Sequence, residues 1–485
     1  MNLLQSTALM FRRTKIVATL GPACDQNNHL EKMVKAGVNV LRINFSHGSA
    51  QEHTKRAHQV KALSKEFNTP LGILADLQGP KIRIERFENG SVQLSEGERF
   101  TLDADHSSDL GNSERVGIAY KALIHDVKMG DTLLLDDGRI ALWVERIENP
   151  EIICRVVIGG TLSDRKGINL QGGGLSAPAL TEKDKADIIT AAGFGADYIA
   201  VSFVKSAADI HEARQLFRKA GGKGGVVAKI ERREALDNID EIIDATDIIM
   251  VARGDLGVEI GDAALPPAQK RLIRQAQHKN RVVITATQMM ESMIENPIPT
   301  RAEVFDVANA VIDGTDAVML SAETATGKFP DKTIAAMDRI CREVEKQPQV
   351  KQSDHRLDTR FERVDEAIAL GGMYIANHLN VRAIVTLTHS GSTPLWMSRI
   401  SSGIPIFALT PNPDTYTKLT PYRGVQPIMF TIPERSQYGE VNRIMVELLK
   451  QKNIVSNGDL VILAKGDYQH IEDGTNALKI VEVGD

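Results

Sequence analysis

The sequence predicts an α/β protein: a (β/α)8 (TIM) barrel that carries an inserted antiparallel β domain and is followed by a C-terminal α/β domain. Three observations predict it. From Thr14 onward, eight short aliphatic and β-branched runs alternate with segments of helical periodicity. A long stretch of different texture interrupts that alternation once. After Lys346 a second alternation of strand-like and helical segments begins.

The eight runs are TKIVATL, NVLRINFS, LGILADLQ, YIAVSFV, GVVAKIE, DIIMVARGD, RVVITATQ and AVMLSAE. Unbroken apolar runs suit strands buried on both faces of a parallel sheet. The segments between them carry helix-start signals, such as Thr300 with Glu303 three residues later. Between LADLQ and the helix beginning near Thr181 lie FTLDA, RVGIAY, LLLDDGRIALWVERI and IICRVVIGG, with Asp137-Gly138 as a hairpin turn. A structureless loop of that length, about a hundred residues, is foreign to compact domains, so an inserted β domain is expected. Gly172, Gly173 and Gly174 stand at its return to the barrel, as a hinge or as a plain linker. Beyond the polar stretch QPQVKQSDH come AIVTLT, PIFALT, VQPIMF, DLVILAKG and ALKIVEV, expected to form a mixed sheet covered by helices. The expected boundaries are an N-terminal segment 1–13, a barrel of 14–78 and 178–346, an insert of 79–177 and a C-terminal domain of 347–485.

Of the 485 residues 25% are charged and 42% hydrophobic, the composition of a soluble globular chain. At roughly 150 residues per domain, about three domains follow. A net charge of -5 without a long basic run argues against nucleic acid or an anionic membrane as partner. Cys24, Cys154 and Cys341 lie far apart with no CxxC, which suits free thiols in a reducing cytosol rather than disulfides or a zinc site. The N-terminal MNLLQSTALMFRRTK carries its positive charge after its apolar residues, unlike a secretory signal. No apolar run approaches the roughly 20 residues of a membrane span. A cytoplasmic protein is expected.

In such barrels chemistry sits at the carboxyl ends of the strands. Alternation sends Arg42, Asn44 and Ser46 of the second strand inward while Leu41, Ile43 and Phe45 face the helices. On the fifth strand Lys229 and Glu231 point into the mouth. Arg253 and Asp255 share a face on the sixth, and Ser321 and Glu323 on the eighth. Thr287, Asp76 and Ser202 complete a polar rim. Glu231 and Asp255, closing neighbouring strands about 4.8 Å apart, would repel without a cation or proton between them. Either they hold a hard divalent ion, Mg²⁺ by preference, or they join a network with Arg253. With a metal there, Lys229 would stabilise an oxygen on which negative charge grows, and the substrate would be a phosphate or an enolate.

VVAKIERREAL, RINFSHG, DLQGPKIR, MVARGDLGVEI, TATQMMESM, NPIPTRAE, DVANAVIDGTDAVMLSAETA and a downstream SGST loop occur in this order over nearly the whole chain. That ordered set resembles the pyruvate kinase family. The resemblance implies a β-barrel lid after the third strand, a C-terminal regulatory domain, a homotetramer, and transfer of a phosphoryl group from phosphoenolpyruvate to ADP, giving ATP and pyruvate. It implies that Glu231 and Asp255 hold Mg²⁺, that Lys229 neutralises the phosphoryl group and the enolate oxygen, and that Arg42, aided by Arg83, binds the phosphoryl group. Amides around Gly254 and Asp255, with Thr287, would grip the carboxylate. Thr287 would also lie near the carbon to be protonated, with Ser321 or Glu323 and water relaying the proton. A second, nucleotide-borne Mg²⁺ would arrive near Thr19, Pro22, Asn44 and His47, with Lys166 reaching from the lid; His47 by itself equally suits a surface histidine.

Many members of the family need K⁺, which Asn44, Ser46, Asp76 and the Leu77 carbonyl would bind. Where such enzymes have glutamate this chain has Lys81, so its ammonium is expected to stand in for potassium and K⁺ not to be required; a plain surface lysine is the alternative. In TLTHSGSTPLWMSRIS a strand leads through a Ser/Gly/Thr loop into a helix, a pattern that suits a phosphate cradle or a capped turn. The resemblance implies that Ser390, Gly391, Ser392 and Thr393 bind a phosphorylated activator, a sugar phosphate or AMP. Two other readings compete: a metal-dependent lyase or aldolase acting through pyruvate enolate, and a non-enzymatic metabolite sensor built on the SGST loop.

Overall fold

The computed structural model describes residues 11–351, 360–433, 438–466 and 474–484. Most of the N-terminal run, residues 1–10, and part of the polar stretch after Lys346, residues 352–359, lie outside the described residues. Among the described residues no helix is long and apolar enough to cross a membrane.

The eight expected barrel strands are Lys15–Leu20, Val40–Asn44, Gly72–Asp76, Tyr198–Val201, Gly225–Ile230, Ile248–Ala252, Val282–Ala286 and Ala317–Leu320. They pair in parallel and in chain order, and the first closes onto the eighth. Alternation divides their side chains as expected. Val17, Val40, Leu74, Tyr198, Val227, Met250, Ile284 and Met319 fill the interior. Ile16, Ile43, Ile73, Ile199, Ile230, Ile249, Val283 and Val318 pack outward under the helices. Each such fully buried aliphatic side chain is worth about 1.5–3 kcal/mol over exposure. Capping boxes at Ser49/Glu52, Thr181/Asp184 and the expected Thr300/Glu303 start three of the covering helices.

The strands are shorter than their sequence runs. The sixth ends at Ala252, and Arg253–Ile260 is a helix. Asp255 therefore lies in a helical first turn rather than on the strand, and does not share a strand face with Arg253. Likewise Ser321 and Glu323 follow the eighth strand, Ser321 as the N-cap of Ala322–Ala325.

The insert forms a six-stranded sheet with Ile168–Leu170 and Arg115–Gly117 at its edges, beside a two-stranded sheet. One pair, Arg99–Asp103 with Arg115–Gly117, is parallel; the other pairings in these two sheets are antiparallel. Closure toward a barrel is made by single bridges: Arg83 pairs with Gly167 and Ile84 with Ile118, so residues 83–84 join the two edges. The Asp137-Gly138 hairpin connects Thr132–Leu135 to Ile140–Glu148, with Asp136, Asp137 and Gly138 all at positive φ.

All five expected C-terminal strands form one sheet, four of them parallel and Ala477–Glu482 antiparallel at the edge. This domain seals the base of the barrel. Met373, Met397, Ile400 and Tyr422 belong to the same buried cluster as the barrel interior. Tyr198 Oη donates to Lys418 O at 2.5 Å. Gly72 has no room for a side chain, since a Cβ there would lie 2.3 Å from Thr420 Oγ1. At the centre of the joint, Asp316 and Arg399 form a fully buried ion pair, with Arg399 Nη1 2.9 Å from Asp316 Oδ2. The same carboxylate accepts from Val283 N and Arg423 N. Removing the cation strands a buried charge. Arg399→Leu is therefore expected to lower stability by about 3–5 kcal/mol, measured as a fall in the urea midpoint.

Candidate active site

The carboxyl ends of the second, third and fifth strands converge on Asp76, which has 0% exposure. Its Oδ2 accepts from Arg42 Nε at 2.6 Å, and its Oδ1 lies 3.3 Å from Lys229 Nζ, an ion contact without hydrogen-bond geometry. Lys229 Nζ also stands 2.9 Å from Glu231 Oε1 and donates to Ser202 Oγ at 2.7 Å. Arg42 Nη1 donates to Thr19 Oγ1 at 3.0 Å. Burial opposes the charge on Asp76, but Arg42 and Lys229 outweigh it and hold its pKa below the usual carboxylate range. Burial likewise works against the Lys229 ammonium, yet Asp76 and Glu231 prevail and raise its pKa. The Lys229 charge is thus fixed at neutral pH.

Glu231 is different. Burial pushes its pKa up and the Asp255 charge adds to the push, against Lys229 and the Phe203 amide. Its Oε2 accepts from Phe203 N at 2.7 Å. A buried carboxylate raised by a second carboxylate calls for a cation. Asp255 Oδ1 is 3.5 Å from Lys81 Nζ, in the first turn of its helix. The donor set fits a hard divalent ion: oxygen only, from two carboxylates, with the remaining positions left to water and substrate oxygens. Among the described residues no group of three or more His, Cys, Asp or Glu side chains forms a closed metal cage, so most of an octahedron would come from outside the protein.

The alternative Arg253 network does not form on this pair. Arg253 takes Asp306 as its carboxylate, at 2.6 and 2.7 Å, and its Nη2 donates to Thr287 O at 2.7 Å. That grip holds a strained turn: Thr287 has φ 69° and Gln288 φ 54°, positions a β-branched residue rarely occupies. Thr287 Oγ1 donates to Ala286 O at 2.6 Å and accepts from Gly254 N at 2.8 Å. The Gly254 amide, expected to meet a substrate carboxylate, is here directed at Thr287, because the helix begins at Arg253 and its free first-turn N–H groups seek the nearest oxygen.

Glu323 is 2% exposed, and its carboxylate accepts from Met290 N and Ser321 N, so it ties two loops together. Burial raises its pKa. Pro22 and His47 are exposed at the barrel mouth, Thr19 is buried, and Asn44 Oδ1 accepts from Ser46 N at 3.1 Å. The Leu77 carbonyl accepts from Ser202 Oγ at 2.8 Å. Lys81 is part-buried, and its ion partner is Asp255 rather than the Asn44, Ser46 and Asp76 group. In the insert Arg83 Nη1 donates to Arg165 O and Lys166 pairs with Asp136 at 2.7 Å. In the C-terminal domain Gly391, at φ 91°, precedes the helix Ser392–Ser398, and the hydroxyls of Ser390 and Ser392 lie 2.9 Å apart. Thr393 Oγ1 points inward to Thr475 Oγ1 at 2.7 Å. All three cysteines are free and buried, and burial pushes the thiols up, to about 11 for Cys24 and about 12 for Cys154 and Cys341.

Strand alternation could not find Asp306, which lies on the helix Arg301–Ile312. Nor could it find the positive φ of Phe203 that turns its amide toward Glu231. The Arg232-Arg233 doublet beside Glu231 was visible in the sequence but carried no assigned task.

Residues 11–334 match the family model described as pyruvate kinase, barrel domain, and residues 366–481 the model described as pyruvate kinase, alpha/beta domain. The chain is 54% identical to a pyruvate kinase of Haemophilus influenzae, covering 97% of this chain and 99% of that one. It is 54% identical to pyruvate kinase II of Salmonella typhimurium, again over 97% and 99%. To a pyruvate kinase of Mycobacterium tuberculosis it is 40% identical over 98% and 99%.

Arg253→Lys keeps the charge but cannot grip both Asp306 and the carbonyls of the strained turn. It is expected to lower turnover by about 10² through misplacement of Thr287, checked by steady-state kinetics beside a thermal melt that shifts little.

Proposed function

The chain belongs to the pyruvate kinase family, and from that premise we propose that the ion cluster around Asp76 transfers the phosphoryl group of phosphoenolpyruvate to ADP and protonates the resulting enolate to pyruvate. The protein is a phosphotransferase, and the family implies a divalent metal. The observation that carries the detailed reading is the position of Lys229, fixed between Asp76 and Glu231. Three cations, Arg42, Lys229 and Lys81, face three carboxylates, Asp76, Glu231 and Asp255. Mg²⁺ held by Glu231 and Asp255 supplies Lewis acidity and leaves the mouth net positive, suited to a multiply charged anion.

Arg42 orients the transferring phosphoryl group while Asp76 holds its guanidinium still. As a β-phosphate oxygen of ADP bonds to phosphorus, the bond from phosphorus to the enol oxygen breaks, and Lys229 neutralises the charge left on that oxygen. The enolate carbon then takes a proton on the Thr287 side. Thr287 is too weak an acid to be its ultimate source, so a solvent proton is relayed past it and Ser321 or Glu323. The nucleotide, with its own Mg²⁺, lies toward Thr19, Pro22, Asn44 and His47. The insert, carrying Arg83 and Lys166, acts as a lid that excludes water.

Three finer readings belong with this one. Lys81 brings its amine to 3.5 Å from Asp255 at the edge of the cluster, and in this reading turnover does not require K⁺. The Ser390–Thr393 loop is the seat for a sugar phosphate or AMP as activator, with the hydroxyls of Ser390 and Ser392 2.9 Å apart and Thr393 turned inward. Ile298 and Phe305, each 71% exposed, offer apolar surface that a homotetramer would cover, and sedimentation of the intact protein as a monomer would reject that assembly.

One set of assays tests these together. Phosphoenolpyruvate saturation with ADP and Mg²⁺ is expected to give ADP-dependent pyruvate, and Lys229→Met to cost about 10²–10³ in kcat. Exchange of K⁺ for Na⁺ is expected to leave saturated turnover nearly unchanged, whereas a gain of orders of magnitude with K⁺ rejects the Lys81 reading. In a phosphometabolite panel, Ser390→Ala with Ser392→Ala should abolish activation and spare maximal turnover; intact activation places the effector elsewhere.

A further inference from the structure

The three-glycine return of the insert is anchored to the supports of both metal carboxylates. Gly172 N donates to Glu259 O at 3.2 Å, and Gly174 N to Glu234 Oε1 at 2.6 Å. Glu259 lies near the end of the helix that carries Asp255 in its first turn, and its Oε2 accepts from Arg233 N at 2.8 Å. Gly173 crosses so close that a Cβ would stand 2.8 Å from Glu234 Oε2.

Arg232 connects this hinge to Glu231 itself. It follows Glu231 directly and is 2% exposed. Its Nη1 donates to Leu175 O at 3.0 Å, just past the glycines. Its guanidinium lies over the Phe203 ring, 5.4 Å from the centroid. The Phe203 amide, turned by a φ of 56°, is the donor that fixes Glu231 Oε2 at 2.7 Å. Among the described residues Arg232 makes no direct ion pair, although its charge reaches Glu259. A buried guanidinium without an ion pair is costly, and packing alone would be served better by an apolar side chain.

We propose that Arg232 is a positioning residue that couples the placement of the inserted domain to the metal carboxylates, through Leu175 on one side and Phe203 and Glu231 on the other. Displacement of Leu175 draws on the guanidinium, the ring beneath it and the amide that orients Glu231. Linkage makes the coupling reciprocal: occupation of the carboxylate pair by a divalent ion steadies the hinge by the factor with which the hinge favours the ion.

This rests on the reading that Glu231 and Asp255 hold the divalent ion, and the test separates the two. The full chain, without substrates, is titrated with Mn²⁺ by calorimetry, and hydrogen exchange is followed at the Gly172 and Gly174 amides. In the wild type Mn²⁺ is expected to slow that exchange about fivefold or more. Arg232→Gln should still bind Mn²⁺ while its hinge exchange no longer responds; Arg232→Lys, which keeps a donor but loses the flat stack, should respond only in part. Wild-type protection in both variants overturns the coupling, and Arg232→Lys alone decides it should Arg232→Gln not fold. Unchanged Mn²⁺ binding in Glu231→Gln overturns the metal reading instead.

Discussion

One carboxylate without exposure to water organises the mouth of the barrel. Asp76 remains ionised only because Arg42 and Lys229 approach it from the neighbouring second strand and the more distant fifth. Each of those cations is in turn tolerated in a buried setting only because Asp76 is there, with Glu231 as the further anion for Lys229. Mutual dependence of this kind costs desolvation energy and returns geometry. In the proposed reaction these two positive groups would meet a phosphoryl group and an enolate oxygen already in place, so little reorganisation would remain at the moment of reaction.

The surrounding loops maintain that readiness by strain and by grip. Phe203 and Thr287 both adopt positive φ, and in both cases the unusual conformation serves a hydrogen bond: Phe203 N to Glu231, and Thr287 Oγ1 from Gly254 N. Arg253 clamps the second turn from below, with Asp306 behind it. Around the other side, residues 172–175 rest on Glu234, Glu259 and Arg232. The inserted domain thus meets the barrel at the segment that immediately follows Glu231.

The barrel was legible because its signal is periodic and redundant. Eight apolar runs fill two shells, and a single parity rule divides them between interior and helices. The five C-terminal strands were legible for the same reason. The inserted domain was legible as β texture, but its closure by two single-residue bridges was not, since isolated pairs leave no periodic trace. Lys229 and Glu231 were found by parity because the fifth strand includes Lys229 and ends one residue before Glu231. Asp255 was placed on a strand that has already become a helix, because VARGDLG keeps its alternation while the backbone turns. Asp306 and Arg232 meet other side chains and carbonyls across the fold, contacts that no local pattern encodes.

Whether the buried Asp76 charge holds both Arg42 and Lys229 in working position is decided by the kcat/KM for phosphoenolpyruvate of Asp76→Asn, which keeps the shape and removes the charge. A fall of about 10³ or more is expected in a protein that still folds, since two cations lose their shared anchor. A value within about twofold of the wild type, less than 0.5 kcal/mol in barrier, would contradict it.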